Sequence, residues 1–157
     1  AIEIGLLLAV VLFLKRTSES VEIRHFQDEI DPNQELDIQI NSEEKLTIPE
    51  GVDVYEIDGP YFFGIANKFE EVMSRISQKP QVRIIRMRRV PFIDSTGIHN
   101  LEALCEQSAK EGIQVVLSGV NTNVRKTLHK AGFNKVIKEE FIYSNINEAL
   151  KKAQSLA

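Results

Sequence analysis

Apolar positions recur along most of the chain with two different periods, which predict alternating strands and helices. Residues 52–57, VDVYEI, alternate as a strand and close on a turn cluster of Asp, Gly and Pro. Residues 64–76, GIANKFEEVMSRI, place apolar side chains three and four positions apart, which predicts a helix that Pro80 ends. Residues 82–87, VRIIRM, predict the next strand.

The alternation of strand and helix continues toward the C-terminus. A helical stripe of apolar residues follows Gly97 and stops at Gly112, and residues 113–120, IQVVLSGV, form the continuous apolar run of a strand covered on both faces. Asn121 or Thr122 can cap a further helix, a short strand is expected near residues 135–138, and a last helix carries an apolar stripe from residue 146 to residue 153. The pattern predicts an α/β domain whose mostly parallel or mixed sheet of about four to five strands is packed with α-helices.

The first 16 residues do not fit a soluble surface, because residues 4–14 are almost wholly apolar and are followed by Lys15 and Arg16. A membrane span needs about 20 apolar residues, so this run is too short by itself. We predict that residues 1–16 are the truncated end of a transmembrane helix, with its two basic residues on the cytoplasmic side. A buried first helix of a soluble domain is the alternative, since apolar runs of about 10 to 14 residues also occur in cores.

Composition limits the remaining function classes. Residues 17–44 are polar and acidic and predict a linker with an edge strand in one of its short apolar alternations, at 21–23 or 36–40. A chain of 157 residues accommodates one domain with an appendage, and its net charge of -4 gives no general attraction to nucleic acid. One cysteine and three histidines exclude a disulfide framework and provide no spaced set of zinc ligands.

The motif DSTG, residues 94–97, follows the strand predicted at residues 82–87, at the point where a helix is predicted to begin. Asp94 or Ser95 can accept hydrogen bonds from the first-turn amides, Gly97 removes side-chain bulk, and Ser95 and Thr96 are expected to be exposed. Capping alone explains the motif; an anion or phosphate site at the helix dipole and a phosphorylation switch at Ser95 are the alternatives. Spacing does not separate these last two interpretations.

Four arginines on the strand before this motif are unusual for a buried strand. Arg86 and Arg88 are expected on one face of the sheet, and Arg83 and Arg89 on the other. Their stems can cover apolar surface with the charged heads in solvent, or at least one of them makes a contact. Arg88 and Arg89 flank residues 94–97 and are the candidates for that contact.

No catalytic arrangement is recognisable in the sequence. Ser95 lacks the GxSxG motif of a nucleophile elbow. His99 lies one turn after Ser95 and is interpreted as a surface histidine, and Cys105 lies on the apolar stripe as a small core residue. The motif therefore predicts a recognition surface instead of an active site.

Three stretches of the chain carry a family resemblance: VYEIDGPYFFGIANKF, IIRMRRVPFIDSTG and VVLSGVNTNVRKTLHKAGF. Together they resemble the STAS domain, which sulfate transporters and anti-sigma-factor antagonists share, in its SulP anion-transporter branch. The resemblance covers residues 46–156. The apolar run before Lys15 also resembles the end of the last transmembrane helix of a SulP protein.

The resemblance implies a STAS fold over residues 45–157 and a cytoplasmic regulatory domain of a secondary transporter for sulfate or a related anion. It implies an inner or plasma membrane location and no catalysis by the domain itself. It implies no cofactor, apart from the nucleotide binding suggested for STAS domains generally. The implied partners are the membrane part of the same transporter, where the anion binds, a cytoplasmic regulatory protein and a second copy of the transporter, but no nucleic acid.

The other branch of the resemblance provides the alternative function. In antagonists, the first hydroxyl after the motif aspartate is the serine that a kinase phosphorylates, and Ser95 holds that position here. The alternative is therefore a stand-alone anti-sigma-factor antagonist phosphorylated on Ser95. The apolar N-terminal segment distinguishes this alternative from a transporter domain, because a soluble switch protein does not need such a segment.

Overall fold

The computed structural model describes residues 2–19, 21–30, 46–61, 65–76 and 78–157. Strands and helices alternate along most of this part of the chain. The helices are α1 Ile2–Glu19, α2 Ile65–Ser74, α3 Ser95–Lys110, α4 Thr122–Lys130 and α5 Ile146–Gln154. The strands are β1 Glu22–Phe26, β2 Glu29–Ile30, β3 Leu46–Thr47, β4 Val52–Asp58, β5 Val82–Arg89 and β6 Gln114–Ser118.

The main sheet has four strands in the order β1-β4-β5-β6, and β2 pairs with β3 in a separate two-stranded sheet. The β4-β5 and β5-β6 pairs are parallel, and the edge strand β1 runs antiparallel to β4. This architecture confirms the predicted α/β domain with a mostly parallel, mixed sheet. Parallel neighbours require crossover helices, which is why α2 and α3 follow β4 and β5 along the chain.

Helices cover both faces of the sheet. Apolar residues of α2, α3 and α4 pack with Tyr55, Ile85 and Leu117 of the central strands on one face. Those of α5 pack with Val54 and Val116 on the other face. The central strands are therefore buried on both sides, as the apolar runs predict.

Local capping explains where the last three helices begin. Asp94, Asn121 and Asn145 each accept a hydrogen bond from the backbone amide three residues later. These side chains satisfy amides that a helix start leaves unpaired. The predicted caps at Asp94 and Asn121 are confirmed.

The expectation that the arginine heads lie in solvent is wrong for the first two arginines. Arg83 and Arg86 are only 6% and 2% exposed. The parallel register places acids of β4 beside them, pairing Asp53 with Arg83 and Glu56 with Arg86 along the two strands. Arg86 Nη1 lies 2.8 Å from Glu56 Oε2, and the Glu56 side chain is also 2% exposed. The two central strands thus carry a charged pair inside the sheet.

The predicted short strand near residues 135–138 is also wrong. Two 3₁₀ turns, Phe133–Lys135 and Glu139–Phe141, occupy this region, and only an isolated bridge joins Ile142 to Leu117. The buried apolar side chains Phe133 and Ile137 lie four positions apart, a spacing that suits turns better than the period of two that a strand requires.

The expected edge strand is present in the segment predicted as a linker. β1 follows Val21 and joins the main sheet through β4, so this part of residues 17–44 is integral to the sheet. The second alternation, at residues 36–40, lies outside the described residues.

Breaking the buried ion pair should destabilise the fold strongly. We expect Arg86→Met to lower the free energy of unfolding by about 3 to 5 kcal/mol, because it leaves the Glu56 carboxylate buried without its cation. Urea denaturation measures this loss.

A matched control is Arg24→Met, since Arg24 pairs with Glu22 at 3.3 Å and both side chains are exposed. We expect this control to cost less than about 1 kcal/mol. The double variant Glu56→Leu/Arg86→Met should recover most of the loss, because no unpaired charge remains. Equal losses for Arg86→Met and Arg24→Met would contradict the structural role of the pair.

Candidate functional site

The DSTG motif lies where the chain leaves the carboxyl end of β5 and enters α3. Asp94 is the N-cap residue, with extended backbone angles, and its Oδ1 accepts a hydrogen bond of 2.6 Å from the amide of Gly97. Ile98 N donates to the backbone oxygen of Asp94 at 2.9 Å and closes the first turn. The carboxylate thus occupies the position at which an anion would meet the helix dipole.

Ser95 and Thr96 occupy the first two positions of α3 and are exposed. The structure therefore leaves both hydroxyls accessible to a partner or a modifying enzyme. An added anion at the helix start would meet the negative charge of Asp94, which already accepts from one first-turn amide. This geometry suits a contact surface or a modified hydroxyl better than a preformed anion cradle.

Gly97 is required by close packing at the first turn. A Cβ built on it would lie 2.2 Å from the backbone oxygen of Tyr61 and 2.9 Å from Cγ1 of Ile93. Tyr61 and Ile93 form a parallel bridge, and Tyr61 N donates to Phe92 O at 3.2 Å. The glycine thus lets the start of α3 press against the chain that extends β4 and β5.

The flanking arginines lie at the same carboxyl edge of the sheet. Arg89 Nη1 lies 2.6 Å from Asp58 Oδ2, and both side chains are about a third exposed. Arg88 is half-buried, and its backbone lies against Gly119, where an added Cβ would come within 2.9 Å of Arg88 N. Arg88 and Arg89 are therefore held at the end of β5, from which the chain runs to residues 94–97.

The acids of β4 are the residues that the sequence interpretation missed. Glu56 and Asp58 align with Arg86 and Arg89 across the two strands. A signal was present, since VDVYEID and VRIIRMRR carry their acids and arginines at similar spacings. The parallel register between the strands was needed to recognise it.

Two side chains considered for chemistry occupy unreactive surroundings. The His99 side chain is 81% exposed, with Nδ1 at 3.9 Å from Glu102 Oε2. Cys105 is buried, and this burial raises the pKa of its thiol to about 12, far from the range of a reactive thiolate. Within the described ranges, no group of three or more His, Cys, Asp or Glu side chains is placed to hold a metal ion.

The chain is similar to known proteins of one family. The model of the STAS domain family matches residues 45–149. A putative sulfate transporter of Bacillus subtilis, YvdB, is 29% identical over 139 residues, which cover 87% of this chain and 24% of the relative. The chain thus spans about a quarter of the length of this curated relative.

Two solved structures are similar over most of their length. A sulfate transporter family protein from Wolinella succinogenes is 38% identical, with a TM-score of 0.68, over 81% of this chain and 98% of that structure. The STAS domain of a SulP transporter from Vibrio cholerae is 41% identical, with a TM-score of 0.62, over 69% of this chain and 85% of that structure.

The close approach at Gly97 predicts a large effect of a single added methyl group. Gly97→Ala should lower the free energy of unfolding by about 1 to 3 kcal/mol, because the new Cβ cannot avoid backbone atoms of Tyr61. Urea denaturation followed by circular dichroism measures the loss. Gly5→Ala is the control, since nothing lies within 4 Å of the Cβ position on Gly5. A Gly97→Ala variant as stable as the Gly5→Ala variant would refute this account of the glycine.

Proposed function

The chain belongs to the STAS domain family, in its SulP transporter branch, and we propose that it is the cytoplasmic regulatory domain of a membrane transporter for sulfate or a related anion. The transported anion binds in the membrane part of that transporter, and this domain performs no catalysis of its own. Its role is to make contacts that change the rate of transport. The proposal concerns the activity of a whole transporter, of which this chain is one part.

The observation that carries the proposal is the exposure of α1. Its large apolar side chains from Ile2 to Phe13 are between 50% and 88% exposed. An apolar surface of this kind is unfavourable in water and suits a lipid environment or another helix. In the described part of the chain, no helix is both long and apolar enough to cross a membrane. We propose that the exposed apolar surface of α1 contacts lipid or neighbouring helices of the transporter.

The charges after α1's apolar run give the orientation. Lys15 and Arg16 follow the apolar residues directly. Basic residues beside a membrane helix favour the cytoplasmic side, so the domain that follows lies in the cytoplasm. The same N-terminal feature favours the transporter over a stand-alone anti-sigma-factor antagonist, because an antagonist gains nothing from a lipid-compatible helix.

The regulatory surface of the proposed domain is centred on Asp94, Ser95, Thr96 and Gly97. Exposed hydroxyls at a helix start, with the half-exposed Phe92 just before them, offer polar and apolar contacts to a partner. That partner is the membrane part of the same transporter or a cytoplasmic regulatory protein. Phosphorylation of Ser95 would place about -1.5 to -2 charges beside Asp94 and weaken an acidic or apolar contact.

One prediction of the proposed function concerns the gene. We expect the coding sequence upstream of residue 1 to encode several apolar segments of about 20 residues each, because the exposed apolar side chains of α1 suit contact with lipid or with other membrane helices. Translating that sequence and scoring its hydropathy is the measurement. A start codon within a few residues of Ala1 would refute the transporter and leave the antagonist alternative.

Another prediction of the proposed function concerns the regulatory surface. In the full-length transporter, Ser95→Glu should change the rate of sulfate uptake by roughly fivefold or more, the lower end of usual coupling between two sites. The reason is that a second negative charge beside Asp94 weakens an acidic or apolar contact at the exposed helix start. Uptake of radiolabelled sulfate into membrane vesicles measures the change.

The matched control is Thr122→Glu, since Thr122 is the exposed first residue of α4 after its own capping residue, Asn121. Both variants place an acid at the same position of a helix, and only Ser95 lies in the proposed surface. Unchanged uptake by Ser95→Glu at equal membrane abundance, or an equal change in Thr122→Glu, would contradict the assignment of this surface.

A further inference from the structure

A cavity of about 470 Å³ lies at the opposite end of β5 from the DSTG motif. It opens beside the first residues of β4 and β5, between the ends of α2 and α3, and its apolar lining includes Met73, Leu104 and Ile113. Sites for small organic molecules have volumes of about 300 to 1,000 Å³, with a mostly apolar wall and a few placed polar groups. The cavity has the size of such a site, and its lining is more polar, since eight of its fourteen residues are polar or charged.

One wall of the cavity contains a buried guanidinium with unused hydrogen-bonding capacity. Arg83 is 6% exposed, its Nη1 donates to Ser108 Oγ at 2.7 Å, and its guanidinium carbon lies 5.7 Å from the centre of the Tyr55 ring. Its Nε has no hydrogen-bond partner among the described residues. Buried charged groups are normally paired, and Arg83 lines the cavity, so its guanidinium is suited to an anionic group there.

A buried carboxylate on the same wall makes long contacts with its neighbours. Asp53 is 7% exposed, and its Oδ2 lies 3.4 Å from Tyr55 Oη and 3.5 Å from His25 Nε2, both longer than an ordinary hydrogen bond to a carboxylate. Burial raises the pKa of Tyr55, so its hydroxyl stays protonated. Asp53 can therefore accept strong hydrogen bonds from a ligand that carries donors.

The Asp53 carboxylate and the Arg83 guanidinium are held side by side. Asp53 and Arg83 are register partners on adjacent parallel strands, and both side chains point to the face that lines the cavity. Neighbouring strands are about 4.8 Å apart. An anionic and a cationic group that lie next to each other in one small molecule would match this pair.

The remaining charges favour a ligand without a large net charge. Glu70 and Glu111 add two acids to Asp53, whereas Lys79 adds one base to Arg83, which leaves the lining with one excess negative charge. The C-terminal ends of α2 and α3 add partial negative charge. A polyanion such as a nucleoside triphosphate is therefore disfavoured here.

We propose that this cavity binds the zwitterionic head of an α-amino acid with an apolar side chain. The carboxylate accepts from the guanidinium of Arg83 and pairs with Lys79, and the ammonium group donates to Asp53. The apolar side chain lies against Met73 and Leu104. The proposal concerns a ligand site separate from the DSTG surface, and its test does not depend on transport.

The experiment measures binding to the full chain, kept in solution by a mild detergent, by isothermal titration calorimetry. The probes are L-leucine, L-methionine and L-phenylalanine, together with 4-methylpentanoate and 3-methylbutylamine, each of which lacks one charge of leucine. We expect saturable binding of at least one amino acid, and at least tenfold weaker binding of both half-ligands. Saturation by none of the amino acids, or equal binding of a half-ligand, would overturn the proposal.

Variants locate the binding site. Arg83→Gln and Lys79→Gln should each weaken amino acid binding by at least fivefold, whereas Arg75→Gln should not, because Arg75 lies outside this cavity and pairs with Glu71 on the exposed surface. Lys79 is exposed, so its variant decides the question even where Arg83→Gln unfolds the chain. The Met73 methyl resonance should shift on ligand addition; an unshifted resonance or normal binding by Lys79→Gln would place the ligand elsewhere and reject the site.

Discussion

The parallel pairing of β4 with β5 is the constraint on which the rest of the structure depends. These two strands lie in the centre of the sheet, and their register aligns an acid of one with an arginine of the other at three points. A shift of the register by one residue would place Glu56 and Arg86 on opposite faces and leave both charges buried without each other. The charges therefore make this shifted alignment less favourable than it would be with apolar side chains of similar size.

This alignment places the two proposed sites at opposite ends of β5. At its carboxyl end, Arg89 pairs with Asp58, and the chain then turns through Pro91 into the capped start of α3. At its amino end, Arg83 lies over the Tyr55 ring beside Asp53. One strand thus links the proposed recognition surface to the cavity, so a ligand that changes the packing around Arg83 would act on the strand that leads to Ser95.

Local features of the sequence were sufficient to predict most elements. Caps such as Asp94 and Asn121 act on amides three residues away, and the strand and helix periods are visible within short windows. Nonlocal features were not predictable in this way. The burial of Arg86 depends on Glu56, and the need for glycine at residue 97 depends on Tyr61, and neither partner is adjacent in sequence. The prediction of a short strand near residue 136 was wrong because the β-branched residues there pack in turns.

The connection between α1 and the sheet is short: α1 ends at Glu19 and β1 begins at Glu22. Two intervening residues span at most about 7 Å. The carbonyl of Val21 accepts a hydrogen bond from Lys68 Nζ, and Val21 is itself buried, so the connection is fastened to α2 where it enters the sheet. Because the connection contains so few residues, a displacement of α1 larger than this span would have to move Val21 and the neighbouring edge of the sheet with it.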